Sequence, residues 1–110
     1  MASGTLGQSA LSAATYTVIY TVPSSIVATV GINIVNRSGT TDAIVRIAIS
    51  STSDVNNIPS TEEFIEYDTT ISINDVLERT GIVVGANKKI IAYSNTANTS
   101  VNVFGFEEGL

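Results

Sequence analysis

The side chains that most often do chemistry at neutral pH are absent from this chain, which contains no histidine and no cysteine. Histidine is the usual proton carrier in that range, and both residue types are common ligands of transition metals. A serine nucleophile would need a base within hydrogen-bond reach. The nitrogen candidates, Lys88 and Lys89, do not stand in a Ser-x-x-Lys pattern. The residue types therefore favour a structural or binding role over catalysis.

Carboxylates are the remaining groups that could catalyse a reaction, because glycosidases and aspartic proteases work with aspartate and glutamate alone. Asp68-Thr69-Thr70 resembles the start of an aspartic-protease Asp-Thr-Gly loop, but the glycine and a second copy are missing. A domain of 110 residues leaves little room for a cleft that binds sugar on both sides of a scissile bond. The carboxylates available for a glycosidase pair are Glu62, Glu63, Glu66, Asp75, Glu78, Glu107 and Glu108. We predict no catalytic residues and no enzyme activity.

Oxygen ligands for a hard cation occur in two short segments, Asp54-Val55-Asn56-Asn57 and Asn74-Asp75. Neither has the Asp-x-Asp-x-Asp-Gly spacing with a distal glutamate that a calcium loop needs. We therefore predict no metal site and no cofactor. Asn36-Arg37-Ser38 and Asn98-Thr99-Ser100 are formal N-glycosylation sequons, but no secretory signal accompanies them, and we interpret both as turn residues.

Length and charge limit the class of protein. The chain has 110 residues, 44% of them hydrophobic, and a net charge of -5, which suits one compact domain rather than a disordered segment. No apolar run approaches the roughly 18 residues that a membrane span needs. The net charge would repel phosphate backbones, and the cations form no patch, since Lys88-Lys89 is interpreted as a solvated hairpin turn. We expect neither a nucleic acid nor a membrane as a partner.

A periodicity of two dominates the chain, with breaks at glycine, asparagine, serine and proline. These breaks come roughly every eight to twelve residues. This spacing predicts about seven to nine short strands and essentially no helix. We therefore predict an all-β fold, a single-domain antiparallel β-sandwich of the jelly-roll or immunoglobulin-like type, over residues 15–110. Residues 1–14 are small and rich in glycine and serine, and we expect an extended N-terminal segment that reaches along a neighbour.

Alternation also predicts which strand faces are buried. The strand over residues 15–22 is expected to bury the face that carries Tyr16, Val18, Tyr20 and Val22. In Ile26–Asn36, Gly31 predicts a bulge or a close backbone approach. Ala43–Ser50 is the expected antiparallel partner of that strand, with Arg46 either exposed or paired with a carboxylate.

Residues 51–60 are polar and contain Pro59 near their end, which predicts a surface loop. Ser60-Thr61-Glu62-Glu63 has the spacing of a capping box, but the residues after it alternate like a strand. At most one helical turn is therefore expected at this point.

Apolar residues stand on both faces of some predicted strands, as in Ile44-Val45, and this excess predicts a homo-oligomer. A carbohydrate-binding module is a more distant alternative. It would need an exposed aromatic platform formed by Tyr16, Tyr20, Tyr67 and Tyr93. Their positions on strand faces predict burial instead.

Several segments, in order along nearly the whole chain, together carry a resemblance: Gly4-Thr5-Leu6-Gly7-Gln8, Tyr20-Thr21-Val22-Pro23, Val35-Asn36-Arg37-Ser38-Gly39, Val45-Arg46-Ile47-Ala48-Ile49-Ser50, Phe64-Ile65-Glu66-Tyr67-Asp68, Val76-Leu77-Glu78-Arg79-Thr80-Gly81 and Val103-Phe104-Gly105-Phe106-Glu107-Glu108. They resemble small all-β virion proteins of tailed bacteriophages, notably those of phages that infect marine bacteria and cyanobacteria.

This resemblance implies a structural component of the virion and transfers no site residues. Within that setting we expect a capsid decoration or cement protein on the outer head surface, bound to the major capsid protein or to other virion proteins. The acidic balance is compatible with that position. By analogy the subunit would be a homo-oligomer, for example a trimer. A tail, fibre or neck subunit of the same particle is the alternative that the sequence leaves open.

Overall fold

The computed structural model describes residues 1–110, which form eight β-strands and no α-helix. The strands are β1 (Ser3–Ala10), β2 (Thr17–Thr21), β3 (Ile26–Asn36), β4 (Ala43–Ser50), β5 (Phe64–Ile71), β6 (Val76–Val84), β7 (Lys89–Ser94) and β8 (Thr99–Gly109). One 3-10 turn, Thr61–Glu63, precedes β5 where the capping-box spacing predicted a single helical turn. No helix in this chain has the length and apolarity that crossing a membrane requires.

The strands form two four-stranded antiparallel sheets that pack as a sandwich. Sheet A has the order β1-β8-β3-β6, and sheet B has the order β2-β7-β4-β5. The first strand thus pairs with the last, the second with the seventh, the third with the sixth and the fourth with the fifth. A long hairpin wrapped into two layers in this way is a jelly roll. The predicted sandwich is confirmed, and the strand order distinguishes the jelly roll from the immunoglobulin-like arrangement.

The inner faces of the two sheets meet in one apolar core, because every second residue of the central strands faces inward and most of these residues are apolar. Its largest fully buried members are Val22, Ile32, Ile34, Val45, Ile47, Ile71, Val84, Ile90, Val101 and Val103. Alternate residues of the central strands supply this core, Ile32 and Ile34 from β3 and Val45 and Ile47 from β4.

Regular pairing is confined to the centre of each sheet. The β3–β8 ladder runs without a register shift from Ile26↔Gly109 to Asn36↔Thr99, and the β4–β7 ladder from Val45 to Ser50 is also regular. Every ladder to an edge strand, by contrast, contains at least one bulge or irregularity. Bulges at edges increase the twist and hinder pairing with other chains.

The bulge in β2 makes the predicted face of that strand wrong. The β2–β7 register shifts between Val18 and Tyr20. The regular alternation of side chains between the inner and the outer face of sheet B is therefore broken at this point. Ile19 and Val22 lie in the core, and Tyr20 packs against it while remaining half-buried. Tyr16 precedes β2 and contacts the outer face of sheet B.

The strands β3 and β4 follow each other in sequence, but the antiparallel pairing predicted between them is wrong. β3 pairs with β6 and β8 in sheet A, whereas β4 pairs with β5 and β7 in sheet B. The intervening residues 37–42 therefore connect the two layers instead of closing a hairpin. Consecutive strands pair or lie side by side about two times in three, and local alternation cannot reveal the exceptions.

The N-terminal segment is part of the sandwich, which corrects the boundary predicted at residue 14. Residues 3–10 form the edge strand β1, paired with β8 from Ser3↔Phe106 to Ala10↔Ser100. Its small residues hide the strand pattern but have a steric role. A Cβ on Gly7 would lie 2.2 Å from the carbonyl oxygen of Ile19, so β1 can approach β2 only with glycine there.

Two glycines allow β3 and β8 to pair closely at the middle of sheet A. The Phe104 ring lies over Gly31, where an added Cβ would be 2.7 Å from the ring. The β3–β6 register shifts between Val30 and Ile32, so of the two outcomes predicted at Gly31 the bulge is the one that the ladder supports. Gly105 has φ +152°, and a Cβ there would be 2.0 Å from the carbonyl oxygen of Thr29. Gly105 requires glycine both because its close neighbour is the β3 backbone and because of its own backbone conformation, whereas the close neighbour of Gly31 is the end of the Phe104 side chain.

We expect Gly105→Ala to lower the free energy of unfolding by roughly 2–4 kcal/mol, because the new methyl group must displace the β3 backbone in an unfavourable φ region. Gly85→Ala is the matched control, since no atom lies within 4 Å of its Cβ position. That variant should stay within about 0.5 kcal/mol of the wild type. Urea unfolding would measure both, and equal stability of the two variants would contradict this account of the ladder.

Candidate binding groove on the outer face of sheet B

The outer face of sheet B is partly covered by the β4–β5 loop, residues 51–60. Lys89 Nζ donates to the Thr52 carbonyl oxygen at 2.8 Å, and Asn57 Nδ2 donates to the Tyr16 carbonyl oxygen at 3.4 Å. The loop residue Pro59 is buried. Lys89 is thus half-buried and bound to this loop, although the sequence predicted a solvated turn.

Glu63 holds the end of the loop against β4. Its Oε1 accepts hydrogen bonds from the Ser50 hydroxyl at 2.6 Å and from the Ser60 amide at 2.8 Å, and its Oε2 accepts one from the Ser51 amide at 3.3 Å. These bonds, the one from Ser50 above all, hold the pKa of Glu63 below its usual value. The 3-10 turn that carries Thr61 is therefore fixed at the side of sheet B.

Four aromatic rings gather on this face. The Tyr16 ring centroid lies 4.8 Å from that of Tyr93 and 6.2 Å from that of Phe64. The Phe64 and Tyr67 rings are 4.9 Å apart and nearly perpendicular, at 80°. Tilted and edge-to-face pairs at these distances are favourable arrangements of aromatic quadrupoles.

Arg46 of β4 connects the rings to a carboxylate. Its Nε donates to Asp68 Oδ1 at 2.7 Å, and its Nη1 donates to the Tyr16 hydroxyl at 2.7 Å. The guanidinium carbon lies 4.3 Å from the Tyr67 ring centroid and 4.8 Å from that of Tyr93. The hydrogen bond to Asp68 raises the pKa of Arg46. The expected carboxylate partner of Arg46 is thus Asp68, and the cation also orients two rings.

The rings and the loop enclose an open groove of about 540 Å³. Its lining residues are Tyr16, Ile58, Pro59, Thr61, Phe64 and Tyr67. The volume falls within the range of roughly 300–1,000 Å³ that small-molecule sites occupy. We call it the aromatic groove.

Three of the four tyrosines considered for an aromatic platform meet at this face, which corrects the prediction that they are buried on strand faces. Tyr67 is 57% exposed, and Tyr16 and Tyr93 are half-buried. Tyr20 lies elsewhere and donates a hydrogen bond to Glu107, so burial and that carboxylate together raise its pKa. Sequence patterns did not indicate Phe64, Ile58 and Pro59 as site residues. Ile58 and Pro59 lie in the β4–β5 loop, which brings them to the rings, and Phe64 begins β5. The capping box before Phe64 was the one sequence signal near them.

Most of the carboxylates that the sequence offered for chemistry have structural partners. Glu66 pairs with Arg79, and the hydrogen bond from Tyr20 keeps the pKa of Glu107 below its usual value. Asp75 Oδ1 accepts a hydrogen bond from the amide of Val76 at 2.8 Å. No group of three or more acidic side chains is arranged to hold a metal ion.

The two sequons have different environments. Asn36 is completely buried at the end of β3, where its Nδ2 donates to the carbonyl oxygens of Thr41 and Ile71 at 2.9 Å and 3.1 Å. This amide therefore joins two loops and is inaccessible to a glycan. Asn98 is exposed in a turn with φ 66°, as its interpretation as a turn residue predicted.

Comparisons of this chain with models of protein families, with curated proteins and with solved structures found no match.

Arg46→Met should lower the free energy of unfolding by about 1–2 kcal/mol, because it removes a cation–π contact and a partly exposed ion pair. It should also weaken the near-ultraviolet circular dichroism of the tyrosines that Arg46 orients. Arg37→Met is the control, since the Arg37 side chain is exposed and donates to the Ser100 hydroxyl. Unchanged tyrosine dichroism in Arg46→Met would show that Arg46 does not order the rings.

Glu63→Gln should lower stability at pH 7 and have less effect at about pH 3. Because the pKa of Glu63 is lower in the folded state, its contribution is present above the unfolded-state pKa and is lost as the pH falls through the folded-state value. Urea midpoints at both pH values would measure this difference. Glu62→Gln, in an exposed neighbour, is the control and should leave the urea midpoint at pH 7 close to that of the wild type. The same difference between wild type and Glu63→Gln at both pH values would contradict the assignment.

Proposed function

We propose that this chain is a structural protein of a tailed-bacteriophage virion, a decoration or cement subunit that binds the outer surface of the head and stabilises it. The observation that carries the proposal is an exposed apolar surface on the outer face of sheet A. A subunit that binds only the assembled shell stabilises that shell by its binding free energy.

The apolar surface, which we call the sheet A face, spans three neighbouring strands. Phe106 of β8 stands opposite Thr29 of β3, which in turn stands opposite Val83 of β6. Phe104 lies one row further along, over Gly31. Their exposed fractions are 39% for Phe104, 46% for Phe106 and 68% for Val83. Several exposed apolar side chains close together on one outer face are typical of protein interfaces.

The polar residues beside these rings support an interface of defined orientation. Gln8 Nε2 donates to Asn102 Oδ1 at 2.8 Å, and Asn102 Nδ2 donates to Asn33 Oδ1 at 3.2 Å. This row of amides crosses β1, β8 and β3 and borders the aromatic row. Glu78 stands opposite Asn33, so a negative charge lies at the side of the face. An apolar centre with a polar border is the usual composition of a specific interface.

The resemblance to phage virion proteins supplies the setting, and the fold is compatible with it, since jelly rolls occur among viral capsid proteins as well as in lectins. The expected partners are the major capsid protein, other virion proteins and further copies of this chain in a homo-oligomer such as a trimer. A tail, fibre or neck subunit of the same particle is the alternative within this proposal. The N-terminal strand can contribute to a neighbour contact only through its free edge, because its other edge pairs with β8.

The test is the location of the protein in intact virions, by density at high resolution and by copy number. Many copies spread over the head would support decoration, and a small number at one vertex would support the tail or neck alternative. Absence of the protein from purified virions would overturn the proposal.

The double variant Phe104→Ser/Phe106→Ser tests the sheet A face itself. Its affinity for heads that lack the subunit should fall by about 30-fold or more, the loss that follows from removing a hot spot of ~2 kcal/mol. Ile73→Ser is the control, because Ile73 is 45% exposed in the turn before β6 and lies outside the face. Equal binding of the two variants would exclude this face, and light scattering of the free protein would measure its oligomeric state against 11.5 kDa for a monomer.

A further inference from the structure

We propose that the aromatic groove is a binding site for a neutral glycan, with the Tyr67 ring as the stacking platform. This function goes beyond the proposed structural role and does not depend on it, since the groove lies on sheet B and the sheet A face lies on the opposite layer. Three features of the groove carry the proposal: a fixed exposed ring, free hydroxyl groups in an apolar lining, and the absence of net charge.

The Tyr67 ring is held in place while much of it remains open to solvent. Arg46 lies over the ring at 4.3 Å, and Phe64 meets the ring edge-to-face at 4.9 Å. With these two contacts in place, Tyr67 is still 57% exposed. A ring ordered in advance loses little conformational entropy when a ligand stacks on it, so this arrangement favours binding.

The groove combines aromatic surfaces with unpaired hydroxyl groups. The hydrogen bonds of this face use the Tyr16 hydroxyl, Arg46 and Asp68, and they leave the hydroxyls of Thr61 and Tyr67 without a protein partner. A pyranose presents C–H groups on its ring faces and hydroxyls at its rim. The first can pack on the aromatic walls, and the second can donate to or accept from Thr61 and Tyr67.

The electrostatics of the groove select a neutral ligand. None of its six lining residues is charged. The nearest cation, Arg46, is already bound to Asp68. An anionic ligand would find no free positive charge, and the net charge of -5 on the chain would repel it.

A proline-rich peptide is the other ligand class that aromatic grooves bind. Its backbone offers carbonyl oxygens that need donors and has few donors of its own. The groove supplies hydroxyl groups, which can both donate and accept hydrogen bonds. They therefore suit a sugar, which has donors and acceptors, better than a peptide backbone that mainly accepts. We therefore assign the groove to a glycan and make the peptide an outcome of the test.

Titration of the isotope-labelled protein, followed by amide chemical shifts, tests the assignment. The probes are neutral oligosaccharides of different linkage, namely cellohexaose, maltohexaose and chitohexaose, with a polyproline peptide in a parallel experiment. At least one oligosaccharide should shift the amides of Thr61, Phe64 and Tyr67 in a saturable way. No saturable shift with any of the three, or saturable binding of the peptide alone at these residues, would overturn the proposal.

Substitutions separate stacking from hydrogen bonding. Tyr67→Ala should weaken oligosaccharide binding by about tenfold or more through loss of the stacked ring. Tyr67→Phe keeps the ring, so it should keep most of the affinity, and amide shifts outside the groove that match the wild type would show that Tyr67→Ala is folded. Val83→Ala changes an exposed residue on the opposite layer and should bind like the wild type. Undiminished binding by Tyr67→Ala would exclude this ring as the platform.

Discussion

The regular pairing at the centre of each sheet is the constraint on which the rest of the structure depends. β3 and β8 pair along their whole length without a register shift, and β4 and β7 pair regularly in the other layer. Each of these strands is paired on both sides, so its register sets the positions of the edge strands. The edge strands absorb the mismatch through bulges. The close contacts at Gly31 and Gly105 follow from the same requirement, because the two longest strands of sheet A must lie side by side without interruption.

The outer faces of the two sheets differ in how far the chain covers their apolar side chains. On sheet B the chain covers its own surface, so Ala48 and Ile91 are buried although they lie outside the core between the sheets. The β4–β5 loop and Arg46 cover part of that face, and the aromatic groove stays open beside them. On sheet A no segment of the chain crosses the outer face, and Phe106 and Val83 remain exposed. The outer face of sheet B is thus partly covered by the chain, and that of sheet A is more exposed. This difference is why assembly is proposed for sheet A and ligand binding for sheet B.

The sequence predicts the parts of the fold in which local alternation and packing agree. It identified the all-β sandwich and the single turn before β5. It failed at β2, where a bulge between Val18 and Tyr20 interrupts the alternation, and at β1, whose small residues are selected by the closeness of β2. The pairing of β3 with β8 and the assembly of the aromatic groove could not be predicted, because both join residues that are far apart in sequence. Arg46 is the exception, since a cation on a strand already indicated a nearby carboxylate.

The place of β8 in the sheet has a consequence for biosynthesis. This strand comes last among the eight, yet it lies between β1 and β3 and contributes Val101 and Val103 to the core. A nascent chain that has not yet released β8 from the ribosome holds β1 without its partner strand and β3 with one side unpaired. Sheet A therefore closes only after translation of β8, and a chain that stops early would expose apolar strands to chaperones and proteases. The topology thus makes synthesis of β8 a condition for closing sheet A.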